Sequence, residues 1–167
     1  MPPTDSQEPK KPNPSGKPSV SPPNSSRNAP SQNRSEEITT TIIKTINQLT
    51  HGFSSYSIRD LVKHAEAFGS HLERNQLKTN QVRKFLDAVN RIKADLPEDK
   101  NFSKIETDVV LLKPKLAYAA ARQPAAKPLS DVMSAAIEQV HSIDDFKRLV
   151  QFLESTIAYH KASGGRD

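Results

Sequence analysis

The side chains with the widest chemical repertoire in this chain are five histidines, two adjacent aspartates and a concentration of lysines and arginines past its midpoint. His64 and His71 are seven residues apart and can share one helix face, a spacing compatible with a metal pair. No carboxylate–histidine cluster accompanies them, however, so they read as surface or half-buried structural histidines. Asp144 and Asp145 look like an acid–base pair until their position is considered. They follow Ser142 in the first turn of an expected helix, where negative charge complements the helix dipole. There is no Gly-rich phosphate loop, no nucleophile elbow and no His-Glu-x-x-His. The chain has no cysteine, which excludes disulfides, thiolate metal sites and cysteine nucleophiles together. These residues describe a protein without catalytic site, metal or cofactor.

The basic residues carry more information. Lys78, Arg83, Lys84, Arg91 and Lys93 lie within sixteen residues that contain one acid, Asp87, for a local charge of +4. At about 100° per residue, Lys84 and Arg91 fall on one flank of a helix and Arg83 on its exposed side, opposite Phe85 and Val89. A second cluster, Lys113, Lys115, Arg122 and Lys127, has no acid between its members. Tyr118 and Arg122 are i, i+4 neighbours, placed for the ring to brace the guanidinium. A solvated helix face accounts for such clusters, and so does a groove that tracks phosphates. The groove makes affinity fall with salt, at a slope of about −0.7 per single-strand phosphate neutralised. With few aromatics to spare for base stacking, its recognition would be largely independent of sequence.

The elements that must position these residues occupy only part of the chain. Nine of the thirteen prolines precede Ser35, where Val20 is the one aliphatic residue larger than alanine. Such a segment cannot bury enough apolar surface to offset the entropy of ordering it. Residues 1–35 are therefore expected to be a disordered Pro/Ser-rich tail, and residues 36–167 one helical bundle domain. Within the tail, Pro9-Lys10-Lys11-Pro12 fits a polyproline ligand, and a basic arm attracting RNA fits equally well. The tail carries five basic and two acidic residues, the remainder nineteen and seventeen. With the folded part so nearly balanced, a nucleic-acid surface must come from clustering rather than from net charge. No apolar run approaches the length of a membrane span, and the N-terminus lacks the apolar stretch of a secretory signal, so a soluble cytoplasmic protein is expected.

After the tail every strongly periodic segment has helical spacing and none alternates as a strand does, which predicts an all-α, compact bundle of about five to six helices. The first helix is expected from Ser35, as N-cap, to Gly52, with Ile38, Ile42, Ile43, Ile46 and Leu49 inward. The second starts at Ser57 and places Ile58, Leu61, Val62, Ala65, Phe68 and Leu72 on one stripe. The third has Thr79 as N-cap and buries Val82, Phe85, Leu86, Val89, Ile92 and Leu96 before Pro97. The fourth, from about Ser103 to Arg122, contains Pro114 and must kink there or divide into two. The fifth spans about Leu129 to Val140. The last runs from Ser142 to Ala162 and ends at Gly164 and Gly165. Phe146, Leu149, Val150, Leu153 and Ile157 form one apolar face of this helix, with Phe152 and Tyr159 on another. It is thus either central in the bundle or in contact with another subunit.

Three segments, in this order, resemble the small subunits of type III-A CRISPR effector complexes, the Csm small-subunit family. Thr79-Asn80-Gln81-Val82-Arg83-Lys84-Phe85 is similar to that family's Thr-x-Gln-Ile-Arg-Lys signature at a helix start, with Val82 where isoleucine is usual. The stretch from Leu112 through Tyr118 to Arg122 resembles its central helix, which ends in Tyr-x-x-x-Arg. The segment from Phe152-Leu153-Glu154 through Ala158-Tyr159-His160-Lys161 to Gly164-Gly165 resembles its closing helix and double glycine. The tail has no counterpart in the pattern.

The resemblance implies a non-catalytic helical bundle. Its copies associate with one another in a filament along a guide-RNA-loaded complex, beside the backbone subunits and the large subunit, and help hold the target RNA. It implies that Arg83 and Lys84 carry the family's Arg-Lys pair, and Lys113 and Arg122 the basic positions of its central helix. Lys78, Arg91 and Lys115 join these as candidate RNA-binding residues from the local charge alone. The competing expectation is a helical protein–protein interaction subunit with no direct RNA contact.

Overall fold

A computed structural model describes Pro12 and residues 30–165, with side chains from residue 37 onward. The expectation of a disordered tail falls, up to residue 29, almost wholly outside the described residues. Seven α-helices occupy the described part: α1 (Pro30–Asn47), α2 (Ile58–Arg74), α3 (Thr79–Ala94), α4 (Ser103–Val110), α5 (Leu112–Arg122), α6 (Lys127–Glu138) and α7 (Ile143–Ala162). Single 3-10 turns precede α2 and α6, at Phe53–Ser55 and Pro124–Ala126. No strand occurs among the described residues. None of their helices is long and apolar enough to cross a membrane.

α7 lies at the centre. Its N-terminus is capped by Ser142, whose Oγ accepts from the Asp145 backbone N–H at 3.1 Å. Phe146, Leu149, Val150 and Leu153 are buried, and Phe152 on the other side is wholly buried too. That second face packs on α2 and on the turn at 53–55, while α3 lies against α7 as well. Phe152 is the hub of an aromatic cluster, with ring centroids 6.2 Å from Phe53, 6.2 Å from Tyr56 and 6.4 Å from Phe68. The two-faced helix is thus covered within its own chain. α1 rests on α6 and α2, and α5 on α6.

α2 and α7 approach each other through Gly69. A Cβ placed there would lie 2.6 Å from the His160 nitrogen and 2.7 Å from the Thr156 carbonyl oxygen, both backbone atoms. Only a residue without a side chain permits this crossing. Beyond it, buried His160 donates from Nε2 to the Leu77 carbonyl (2.8 Å), which ties the end of α7 to the loop entering α3. The helix ends at its two glycines, with the Gly165 N–H donating to the His160 carbonyl at 3.0 Å.

Several boundaries differ from expectation. α1 begins at Pro30, not at Ser35, and ends at Asn47 rather than Gly52. Proline at a first helical position costs nothing, because its missing N–H would have had no helical partner. Thr79 is not the N-cap of α3. Lys78 takes that position with extended dihedrals, while Thr79 is buried with its Oγ1 3.4 Å from His160 Nδ1. Ile58 is 48% exposed instead of inward. The expected fourth helix is divided, and the break falls at Leu111 rather than at Pro114. A proline at 114 cannot donate to the Val110 carbonyl and its ring crowds that group. Breaking the chain three residues earlier puts Pro114 in the first turn of α5, where nothing is lost.

Candidate nucleic-acid interface

α3 and α5 run beside each other and leave an exposed groove between them. On α3, Lys84, Ala88 and Arg91 follow helical spacing along the flank that faces it. On α5, Lys115, Tyr118, Ala119 and Arg122 do the same. The groove has two adjoining hollows that share Lys84 and Lys115. One, of about 470 Å³, is rimmed by Lys84, Lys115 and Arg122 with no carboxylate in its lining among the described residues, over a floor that includes Phe85, Leu116 and Leu129. The other, of about 400 Å³, adds Arg91 but also Asp87, Asp95 and Asp108. Positive charge is therefore unopposed at the Arg122 end and balanced at the Arg91 end.

The structure brings together four of the seven predicted residues: Lys84, Arg91, Lys115 and Arg122. None of them is in an ion pair among the described residues. Arg122 is instead braced by Tyr118, as expected from their spacing. Its Nη1 donates to the Tyr118 hydroxyl at 3.2 Å, and the guanidinium carbon stands 5.6 Å from the ring centre. Lys78 and Arg83 are exposed but line neither hollow. Lys113 lies apart, paired with Glu138 of α6. Its hydrogen bond and charge hold the Glu138 carboxyl below the usual range. Lys93 and Lys127, the last members of the two clusters, pair with Glu154 (3.1 Å) and Asp131 (2.8 Å).

Gln81 and Gln123 are groove residues that the charge pattern does not reveal. Gln81 stands three residues before Lys84 on the same flank of α3, so its place was readable from helical spacing once Lys84 was chosen. Gln123 follows the last turn of α5, and its position depends on the turn at Pro124, for which spacing offers no signal. Its side-chain Oε1 is enclosed and has no hydrogen-bond partner among the described residues.

The histidines and aspartates are occupied elsewhere. His64 Nδ1 lies 2.6 Å from the Tyr56 hydroxyl, and His71 Nε2 lies 3.0 Å from Asn75 Nδ2. Burial lowers the basicity of both rings; Lys63 adds to this at His64 against the opposing pull of Asp60, and Arg74 adds to it at His71. Burial pushes the Tyr56 hydroxyl well up, helped by the Asp60 carboxylate. Asp144 is exposed, whereas Asp145 is buried and accepts hydrogen bonds from three donors, on Ser54, His141 and Ser142. No group of three or more histidine and carboxylate side chains converges among the described residues.

A sequence model of the Csm2 Type III-A family matches residues 55–166, most of the chain and all seven candidate cations. The chain belongs to this family. The Csm2 Type III-A match begins within the turn before α2, so α1 stands outside it, and the span holds all three segments that resemble the small subunits of type III-A CRISPR effectors. Among curated proteins, the "CRISPR system Cms protein Csm2" of Streptococcus thermophilus is 28% identical over 93 residues, 54% of this chain and 76% of that protein. No solved structure matches. As a Csm2 Type III-A member the chain is a small subunit of a type III-A CRISPR effector, and its groove is to be understood in that setting.

Proposed function

We propose that this chain is a non-catalytic, RNA-binding subunit of a cytoplasmic type III-A CRISPR ribonucleoprotein. Copies of it associate into a filament along the guide and target RNA, beside the backbone and large subunits, and hold target RNA for antiviral defence. The observation that carries this reading is the meeting of Lys84, Lys115 and Arg122, from two helices, in one carboxylate-free hollow. Three cations without ion-pair partners among the described residues suit a run of phosphates, which bind through charge and not through sequence. Lys78 and Arg83, exposed on the same helix or at its cap, extend the positive field beyond the groove, and Arg91 contributes against three opposing aspartates.

Charge reversal at Lys84, Lys115 and Arg122 together tests the reading. The full chain should retain its helical circular dichroism and lose affinity for a single-stranded oligoribonucleotide. Undiminished RNA binding by the folded triple variant would sink the assignment. Because stacked copies bind multivalently, the comparison is made both on the free chain and on the assembled complex.

One observation favours the second reading, a protein–protein interaction subunit without RNA contact. Val110 and Leu111, at the α4–α5 junction, are 51% and 49% exposed, two adjacent apolar side chains on the surface. Assembly with the other subunits that is lost on Leu111→Asp, together with no salt-dependent RNA binding by the wild type, would favour it.

A further inference from the structure

The larger hollow is built unlike a surface that meets phosphates alone. A phosphate needs cations and donors, and Lys84, Lys115 and Arg122 at the rim supply them. It has no use for a floor made from Phe85, Leu116 and Leu129, nor for the space left above it by Ala88 and Ala119. Its volume of about 470 Å³ lies inside the roughly 300–1,000 Å³ of pockets that hold small ligands. Two amides, Gln81 and Gln123, belong to its walls, and Gln123 Oε1 has no partner among the described residues. At the edge stands Tyr118, 65% exposed, with the Arg122 guanidinium over its ring.

An apolar floor, hydrogen-bonding amides on the walls, planar groups at the edge and cations on the rim together match one chemical object, a nucleotide. We infer that this hollow receives a single unstacked nucleobase of the RNA whose phosphates lie along the rim, an inference that rests on the RNA-binding reading above. Exocyclic amino and ring N–H groups of a base are donors whose hydrogen bonds amide side chains such as Gln81 and Gln123 in the walls can accept. Base faces stack on aromatic and guanidinium planes, as single-stranded RNA commonly does on proteins. A partner's apolar side chain would fill the floor equally well but would leave three cations and two amides unused. A chain of nucleotides is favoured over a free one because Lys84 and Lys115 also border the adjoining hollow, so the charge extends past one phosphate.

The isotope-labelled full chain can be titrated with adenosine 5′-monophosphate and separately with ribose 5-phosphate, which has the anion and no base. The nucleotide should move the amide resonances of Ala88, Ala119 and Gln123 and bind roughly tenfold more tightly than the sugar phosphate. A short oligoadenylate should displace it. Ala119 is exposed on α5, so Ala119→Leu occupies the hollow without disturbing the core; it should abolish the preference for the base and leave ribose 5-phosphate binding unchanged. Equal binding of the two ligands by the wild type overturns the inference, and nucleotide binding that no oligoadenylate displaces overturns it for RNA. So does an Ala119→Leu chain that keeps the base preference and fails instead to assemble with other subunits. In each case the RNA reading itself survives if oligomer affinity still falls on charge reversal of the rim.

Discussion

Of the two aspartates in the first turn of α7, Asp144 faces solvent while Asp145 is sealed between that turn and the loop before α2. Asp145 Oδ1 accepts from the Ser54 backbone N–H at 2.7 Å, and Oδ2 from the His141 N–H at 3.1 Å and the Ser142 hydroxyl at 2.8 Å. The same carboxylate sets the identity of residue 52. A Cβ there would lie 2.6 Å from Oδ1, and the backbone has φ of +78°, so glycine is required twice over. The spacing of Ser142 and Asp145 exposes the cap in the sequence, but the partner at Ser54 is ninety-one residues away and is readable only from the fold. Burial pushes the Asp145 carboxyl up, yet the bonds from Ser54, Ser142 and His141 outweigh it and hold it below its ordinary value. A carboxyl lowered in the folded state stabilises the fold at pH above its unfolded value of about 4, and that contribution is lost as pH falls through the lowered value. Asp145→Asn, which offers these donors a weaker acceptor, should destabilise the chain by about 2 kcal/mol at neutral pH. Urea unfolding followed across the acid range should show the two proteins converging as Asp145 protonates; a gap that persists at the lowest pH would mean that the charge is not the agent.

At the scale of helices, periodicity identifies most elements because a helix that hides one stripe shows it locally in sequence; α7 hides two. Val82, Phe85, Val89 and Ile92 of α3 are buried as expected, Leu86 and Leu96 only partly, and Pro114 announces a break whose position, at Leu111, depends on which residue must donate to Val110. What periodicity leaves open is the partner. The second face of α7 fits a subunit contact or a central helix equally, and the choice is made by Phe53, Tyr56 and Phe68 closing round Phe152. Nor does a glycine in mid-helix announce what it admits. At Gly69, alanine would improve helix propensity by about 1 kcal/mol. Its Cβ, however, would press on the backbone of α7, which no side-chain rotation relieves, and forced overpacking costs about 1–3 kcal/mol. Steric conflict should win, so Gly69→Ala lowers the thermal midpoint and Gly69→Val lowers it further. An alanine variant more stable than the wild type would show that the two helices do not cross at contact distance.

Over the whole molecule, the two basic clusters are visible as stretches of sequence, but which of their members share a surface is decided by how α3 and α5 lie together. Lys84 and Arg122 meet across one groove; Arg83, one residue from Lys84, turns elsewhere because a helix rotates by about 100° per residue. Lys113 is spent on Glu138, a carboxylate that belongs to another helix and so does not enter the local charge count. This partition predicts how binding to a single-stranded oligonucleotide responds to salt. If Lys84, Lys115 and Arg122 each neutralise one phosphate, the logarithm of affinity should fall with the logarithm of salt at a slope of about −2 per copy. Arg122→Gln should make the slope shallower by about 0.7, since one released counterion is lost. Lys113→Gln should leave it unchanged, because that ammonium already faces Glu138. Arg91→Gln should change it little, because Asp87, Asp95 and Asp108 balance the charge at that end of the groove. Anisotropy titrations between about 50 and 200 mM salt resolve these differences. If all three substitutions shift the slope alike, phosphates respond to the overall charge of the surface and the groove selects nothing; if Arg122→Gln alone does, the backbone of the RNA follows the hollow rimmed by Lys84, Lys115 and Arg122.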